Sequence, residues 1–418
     1  MSGIAALAPF RTRSFRFQWP ADLCTAWALE METLILGWYV LTESGSVVLL
    51  TVFGALQFVG TLLSPMLGVQ ADRLGLRRVL AAMRLSYALF AAVILFLAAT
   101  HRLDPVWVLI VSALCGLVRP TDIGLRSALV GATVPPAHLT AAMGISRTTM
   151  DSAKVGGALA GTGFMALFGM TTAYCIITGL HIAGALLTLM TDDTPGARRG
   201  NSSSASAPVA ASPWRDLKEG MTYIWQTPRL LAAMSLAALV NLTAFPFTTG
   251  LMPYIAKDVF HLDQQGLGWL VASFAVGALI GSILVSLLGP VLRAGRTMLI
   301  ASVAWYVFLL AFAFSTHPML AMVLLACAGM AQSLSMLPLS LILLRTSDVR
   351  FRGRIMGVRM MAIYPLPLGL LLTGALIPRI GYQWTAISLV SSGLVLTLLL
   401  ASTWRQDLID RNAVSNSR

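Results

Sequence analysis

Charged side chains stand inside long apolar stretches of this sequence, where each of them is costly. They fall into three groups, in chain order Asp22, Glu30 and Glu32, then Arg119, Asp122 and Arg126, then Arg147, Asp151 and Lys154. In hydrocarbon one such residue costs about 2.5–3.5 kcal/mol, so its presence indicates a function or a compensating partner. Carboxyl groups in these surroundings can bind and release protons, and the pattern therefore predicts proton transfer.

The second and third groups have the spacing of ion pairs within a helix. Asp122 lies three residues after Arg119 and four before Arg126, so all three share one helical face. The third group repeats this arrangement with Arg147, Asp151 and Lys154. Because flanking cations keep an aspartate ionised, both aspartates are secondary candidates for proton coupling, and a purely structural charge network is the alternative.

The two glutamates of the first group differ from these, since no cation lies within one turn of either in the sequence. Two positions apart on a helix, Glu30 and Glu32 point about 200° away from each other, so only one can face a given cavity. We favour Glu30 as the proton-coupling carboxylate, with Glu32 facing neighbouring helices. The alternative is that both pair in space with Arg119 or Lys154. His181 stands alone, and we expect it to be a satisfied core residue.

The apolar stretches that hold these residues predict an all-α membrane protein. Of the 418 residues, 57% are hydrophobic and 11% are charged, whereas a soluble domain carries about 25% charged residues. A helix needs about 20 residues to cross a bilayer. Twelve stretches are long enough, near residues 19–41, 47–69, 79–99, 106–129, 141–167, 171–190, 230–256, 265–289, 297–315, 319–343, 355–377 and 383–403.

The basic residues indicate how these spans are oriented. Most arginines and lysines fall in loops on one side, which is the pattern of cytoplasmic loops. That side also holds the N-terminal and C-terminal segments, so we expect both in the cytoplasm and the protein in the inner (plasma) membrane. The formal charge of +12 follows from this bias, and nucleic acid is not an expected partner.

The chain divides at a polar segment near its middle. We expect a six-helix bundle over 1–190, a linker with an amphipathic surface helix over 191–228, a second bundle over 229–404 and a tail over 405–418. The bundles resemble each other in sequence. Phe53-Gly54, Gly60 and Gly68 recur 221 residues later, and Met143-Gly144 and Gly161 recur 213 residues later. Small residues let membrane helices approach closely, so their recurrence favours a duplicated architecture of two six-helix repeats.

A loop motif between the second and third stretches carries a family resemblance. Its residues are Gly68, Asp72, Arg73, Gly75, Arg77 and Arg78. This motif resembles the signature loop of the major facilitator superfamily, and the resemblance implies that it latches the cytoplasmic gate. The second half keeps Gly295 and Arg296 but has Leu292 near the acidic position, which predicts a degenerate latch there.

A finer resemblance covers the fourth and fifth stretches. Arg126-Ser-Ala-Leu, Val134-Pro-Pro-Ala-His-Leu and Val155-Gly-Gly-Ala-Leu-Ala-Gly resemble the third drug:proton antiporter family, which includes enterobactin exporters and macrolide efflux proteins. It implies proton-driven export of a small amphipathic molecule. Lipid flipping, uptake symport and an accessory or sensor role remain alternatives. The family often keeps an arginine on the fourth helix, so we expect Arg119 to tune the carboxylate or to meet an anionic substrate group.

The second half predicts the substrate contacts, because it combines kinking prolines with neutral polar residues. The candidates for the substrate cavity are Asn241, Gln332, Ser333, Arg359 and Tyr364. No glycine-rich phosphate loop with lysine and no spacing of metal ligands is present in the sequence, so we expect neither an enzyme nor a cofactor or bound metal. The expected partners are the lipid bilayer, the substrate and protons, and we expect a monomer.

Overall fold

The protein folds as a succession of helices. The structure, a computed structural model, describes residues 8–62, 75–192, 213–288, 294–346 and 362–404, and all regular secondary structure within them is helical. The longer helices are α1 Arg13–Ser44, α2 Val47–Leu56, α3 Leu76–Ala99, α4 Pro105–Thr133, α5 Pro136–Leu189, α6 Pro213–Gln226, α7 Pro228–Thr243, α8 Gln264–Leu288, α9 Ala294–Phe314, α10 Pro318–Thr346 and α11 Pro365–Thr403.

These helices account for the twelve predicted crossings. Seven helices in the described part of the chain are long and apolar enough to cross a membrane. Two of them, α5 and α11, are broken in the middle at Gly169 and Gly381, where φ is 77° and 81°. Glycine adopts this left-handed conformation without the steric cost of a Cβ atom. Each therefore supplies two crossings, and α1, α2 and the segment that begins with α7 supply the other three.

The seventh crossing is broken into short pieces. After α7 come single turns over Phe245–Thr248 and Met252–Tyr254 and a π-helical turn over Ile255–Val259. Pro246 and Pro253 lie in these turns, and proline cannot donate a backbone hydrogen bond. Other backbone bonds continue across the break, such as Leu251 N to Pro246 O at 3.1 Å. This satisfies peptide groups that lipid could not.

The helices separate into two compact units. Unit 1 comprises residues 1–45 and 56–210, and unit 2 comprises residues 46–55 and 211–418. Unit 2 therefore includes most of α2. Within it, a side chain at Gly374 of α11 would overlap Thr51, so α2 and α11 approach closely at this point.

Both units contain a helix crossing built on a pair of glycines. In unit 1, a side chain at Gly60 would meet the carbonyl oxygen of Leu117, and one at Gly116 would meet that of Leu56. In unit 2, Gly281 lies equally close to the α10 backbone and Gly329 to the α8 backbone. The members of the first pair precede those of the second by the sequence offsets of 221 and 213 residues. The predicted duplication into two six-helix repeats is confirmed.

This crossing predicts a specific cost for one methyl group. Gly116→Ala should lower the unfolding temperature of the purified protein in detergent, because overpacking of this kind costs about 1–3 kcal/mol. Gly124→Ala in the same helix is the matched control, since nothing lies within 4 Å of its Cβ position. Equal unfolding temperatures for the two variants would contradict the close crossing.

Candidate functional site in unit 1

Glycines bring both arms of α5 against α1. A Cβ atom at Gly156 would lie 2.6 Å from Trp27, and one at Gly161 would lie 2.8 Å from the Met31 Cα atom. After the break at Gly169, the second arm returns, and a Cβ atom at Gly184 would lie 2.6 Å from Thr25 Oγ1. Since no side chain separates the backbones, α1 is clamped between the two arms, and its middle has one free face.

That free face of α1 carries Glu30. In the fully described stretch from Thr25 to Trp38, every residue is buried except Trp27, Glu30 and Thr33. These three are spaced three apart and form a single stripe along the helix. Within the described residues Glu30 has no ion pair, and the structure assigns it no side-chain hydrogen bond. A carboxyl group is thus presented at a half-buried surface without a cation beside it.

Arg119 reaches this stripe from α4. Its Nη1 atom donates to Gln57 Oε1 at 2.6 Å and to Thr33 Oγ1 at 3.2 Å. No carboxylate of the described residues lies within ion-pairing distance of the Arg119 guanidinium. The alternative pairing of both glutamates with Arg119 or Lys154 is therefore absent among these residues, and Lys154 is exposed. Arg119 retains its positive charge for a further partner.

Glu32 lies on the opposite, buried face of α1. Its Oε2 atom is 3.7 Å from the Nε2 atom of His181, on the second arm of α5. The two glutamates thus point to different surroundings, as helical geometry requires. The expectation that His181 is a satisfied core residue is wrong, because neither ring nitrogen has a hydrogen-bond partner in the part of the chain that the structure describes.

A cluster of four buried charges joins α1, α3 and α4. Arg84 pairs with Asp22, and Arg126 pairs with Asp122 on the next turn of the same helix. Weaker cross contacts close the cluster, with Arg84 Nε 3.9 Å from Asp122 Oδ1 and Arg126 Nε 3.7 Å from Asp22 Oδ1. Arg84 also donates to Thr188 Oγ1 at 2.5 Å, which adds the second arm of α5. Two aspartates and two arginines neutralise one another, so the cluster is built to hold helices together.

The third predicted group is a weaker version of this arrangement. Asp151 is buried, and its Oδ2 atom lies 3.1 Å from the Nε atom of Arg147. The Arg147 side chain is 58% exposed, so water screens the pair strongly. Lys154 has no ion pair among the described residues. The three residues are therefore not one closed network.

The described end of the loop motif contacts the end of α5. Gly75 has a φ of 93° and begins α3, and Arg77 donates to the Thr191 carbonyl oxygen at 2.9 Å. Arg78 is exposed. The remaining motif residues, Gly68, Asp72 and Arg73, lie outside the described residues.

The predicted cavity residues of unit 2 have unequal exposure. Asn241 is buried and donates within its own helix to Ala237 O, and Ser333 is buried and donates to Ala278 O. Gln332 and Tyr364 are half-buried. Arg359 lies outside the described residues. Only Gln332 and Tyr364 of this set are thus shown partly open to contact.

Three residues of this region were missed from the sequence. Arg84 is a lone charge inside the predicted span 79–99, and a complete count of charges within spans would have found it. Gln57 and Thr33 give no comparable signal, because neutral polar residues are common in membrane helices. Their importance follows only from their contacts with Arg119.

Comparisons with known proteins agree on the architecture. A family model described as the Major Facilitator Superfamily matches residues 23–252 and residues 234–413. A mutant form of the nucleoside transporter NupG has a similar structure, with TM-score 0.75 and 14% identity over 93% of this chain and 99% of that chain. The D-xylose-proton symporter gives TM-score 0.68 and 11% identity over 93% and 97%. A bacterial homolog of the human lysosomal transporter Spinster gives 0.65 and 14% over 94% and 99%. No curated protein sequence gives a significant match.

The four-charge cluster predicts a non-additive pair of substitutions. Arg84→Gln should destabilise the protein by about 3–5 kcal/mol, because it leaves Asp22 buried without its main partner. Adding Asp22→Asn should recover part of that loss, since the remaining Asp122–Arg126 pair is neutral on its own. Unfolding temperatures in detergent measure both effects, with the exposed Arg102→Gln as the control. A double variant that is less stable than Arg84→Gln would contradict this account.

Proposed function

Since the chain belongs to the Major Facilitator Superfamily, we propose that it is a secondary active transporter that exports a small amphipathic molecule in exchange for protons. The substrate class is a drug, a siderophore or a similar compound. The observation that carries the proposal is Glu30, a carboxyl group without a cation on the free face of α1. A carboxyl group of this kind can change its protonation state during a cycle.

The neighbourhood of Glu30 fits a site that opens and closes to water. Trp27 stands one turn before it and offers an apolar ring, while Thr33 stands one turn after it and contacts Arg119. One stripe thus combines an apolar surface, an acid and a nearby cation. We propose that Arg119 binds an anionic group of the substrate or stabilises the deprotonated form of Glu30.

The orientation of the protein belongs to the same proposal. We place it in the inner (plasma) membrane as a monomer, with the N-terminal and C-terminal segments in the cytoplasm. The excess of arginine and lysine in loops on that side supports this orientation. Export then means movement from the cytoplasm outward, with protons entering as the substrate leaves.

An accumulation assay tests the proposed direction and substrate class. Cells expressing the protein should retain less ethidium, erythromycin or catecholate siderophore than cells without it, for at least one of the three. A protonophore should abolish the difference, because it removes the proton gradient. Higher retention in expressing cells would indicate uptake instead, and equal retention for all three would contradict the proposed substrate class.

Glu30→Gln tests the role of the carboxyl group directly. The amide has nearly the same shape and cannot carry a proton, so proton-driven efflux from reconstituted vesicles should fall to the level of vesicles without protein. Exchange of labelled for unlabelled substrate, with no gradient, should continue, since exchange needs no proton release. Glu43→Gln, at an exposed position of the same helix, is the control. Full driven efflux by Glu30→Gln would refute the assignment.

A further inference from the structure

A second acidic group lies inside unit 1, away from the free face of α1. Glu32 is 7% exposed, and the His181 side chain is fully buried. The 3.7 Å between Glu32 Oε2 and His181 Nε2 is ion-pair distance and is longer than a normal hydrogen bond. The two groups therefore face each other across a gap that a small side-chain rotation would close.

The polar atoms of this pair are unusually unsatisfied. Glu32 Oε1, His181 Nδ1 and His181 Nε2 are buried and have no hydrogen-bond partner among the described residues. Most buried side-chain polar atoms in proteins have one, because water bonds are lost on burial. Three such atoms on two facing titratable groups indicate a site that takes up something small. A proton is the smallest ligand that both groups bind.

The groups around the pair supply no compensating cation of their own. From the second arm of α5, the Tyr174 hydroxyl lies close to Glu32 without completing a hydrogen bond of normal geometry. From α3, the Tyr87 ring lies 5.5 Å from the His181 ring. From α4, Cys115 is near Glu32 and Asp122 is near His181.

The nearest arginines are already engaged. Arg84 and Arg126 neutralise the two aspartates of the four-charge cluster. Arg119 donates to Gln57 and Thr33. A deprotonated Glu32 beside a neutral His181 would leave one uncompensated negative charge in the bundle, which a low-dielectric interior disfavours. One proton, on either the carboxyl or the imidazole, makes the pair neutral.

We propose that Glu32 and His181 form an enclosed proton-binding site within unit 1, separate from Glu30. The site holds one proton, which resides on the carboxyl group or moves to the imidazole to give an imidazolium–carboxylate pair. Releasing that proton leaves the site with one negative charge. The site is defined by proton binding alone, so it does not depend on proton-driven export.

Infrared spectroscopy of the purified full-length protein tests this proposal without a substrate. In a pH titration, the wild type should show the carbonyl band of a buried protonated carboxyl group. Glu32→Gln should remove that band, whereas the exposed Glu43→Gln should leave it unchanged. His181→Gln should keep the band but move the pH at which it appears by about one unit or more, because a charge within about 4–6 Å has that effect.

Two controls separate the pair from the rest of the protein. His317→Gln changes an exposed histidine and should not move the band, and Glu30→Gln should leave the Glu32 band in place. If Glu32→Gln fails to fold, as judged by size-exclusion chromatography, Glu32→Asp replaces it, since a shorter acid should also move the band. A band unaffected by every change at Glu32, or one that His181→Gln does not move, would overturn the proposal.

Discussion

Hydrocarbon offers a peptide group nothing to bond with, and the architecture depends on that constraint. It requires the backbone to satisfy itself as helix through each crossing, which explains why the described elements are all helical. Where prolines interrupt the seventh crossing, other backbone bonds take over, such as Ile255 N to Leu251 O at 3.0 Å. Association of the helices then depends on close contact, and the glycine crossings of both units provide it.

The same constraint acts on side chains, and the two units meet it differently. Unit 1 joins its helices with the charged cluster of two aspartates and two arginines. Unit 2 joins its own with neutral hydroxyl groups, including Ser302 to Ser335 at 2.6 Å and Thr243 to Tyr306 at 2.7 Å. A duplicated fold thus carries ionisable chemistry in one repeat. We infer that proton handling was retained or acquired in unit 1 alone.

The sequence predicted those features that depend on one segment. Apolar length gave the crossings, and helical spacing gave the Asp122–Arg126 and Arg147–Asp151 pairs and the divergence of Glu30 from Glu32. It did not predict the contacts of Arg84, Arg119 and His181, whose partners lie far away in the chain. Those contacts depend on which helices are neighbours and on how each is rotated about its axis. Periodicity describes a face of one helix and leaves its partner open.

The neutrality of the four-charge cluster has an electrical consequence. Moving one elementary charge through 100 mV changes the energy by about 2.3 kcal/mol, whereas moving a group of zero net charge does no such work. Arg84, Arg126, Asp22 and Asp122 can therefore shift with their helices without sensing the membrane voltage. Voltage dependence, and any current carried during turnover, has to arise outside the cluster, from charges such as Glu30 and Arg119 and from the substrate itself.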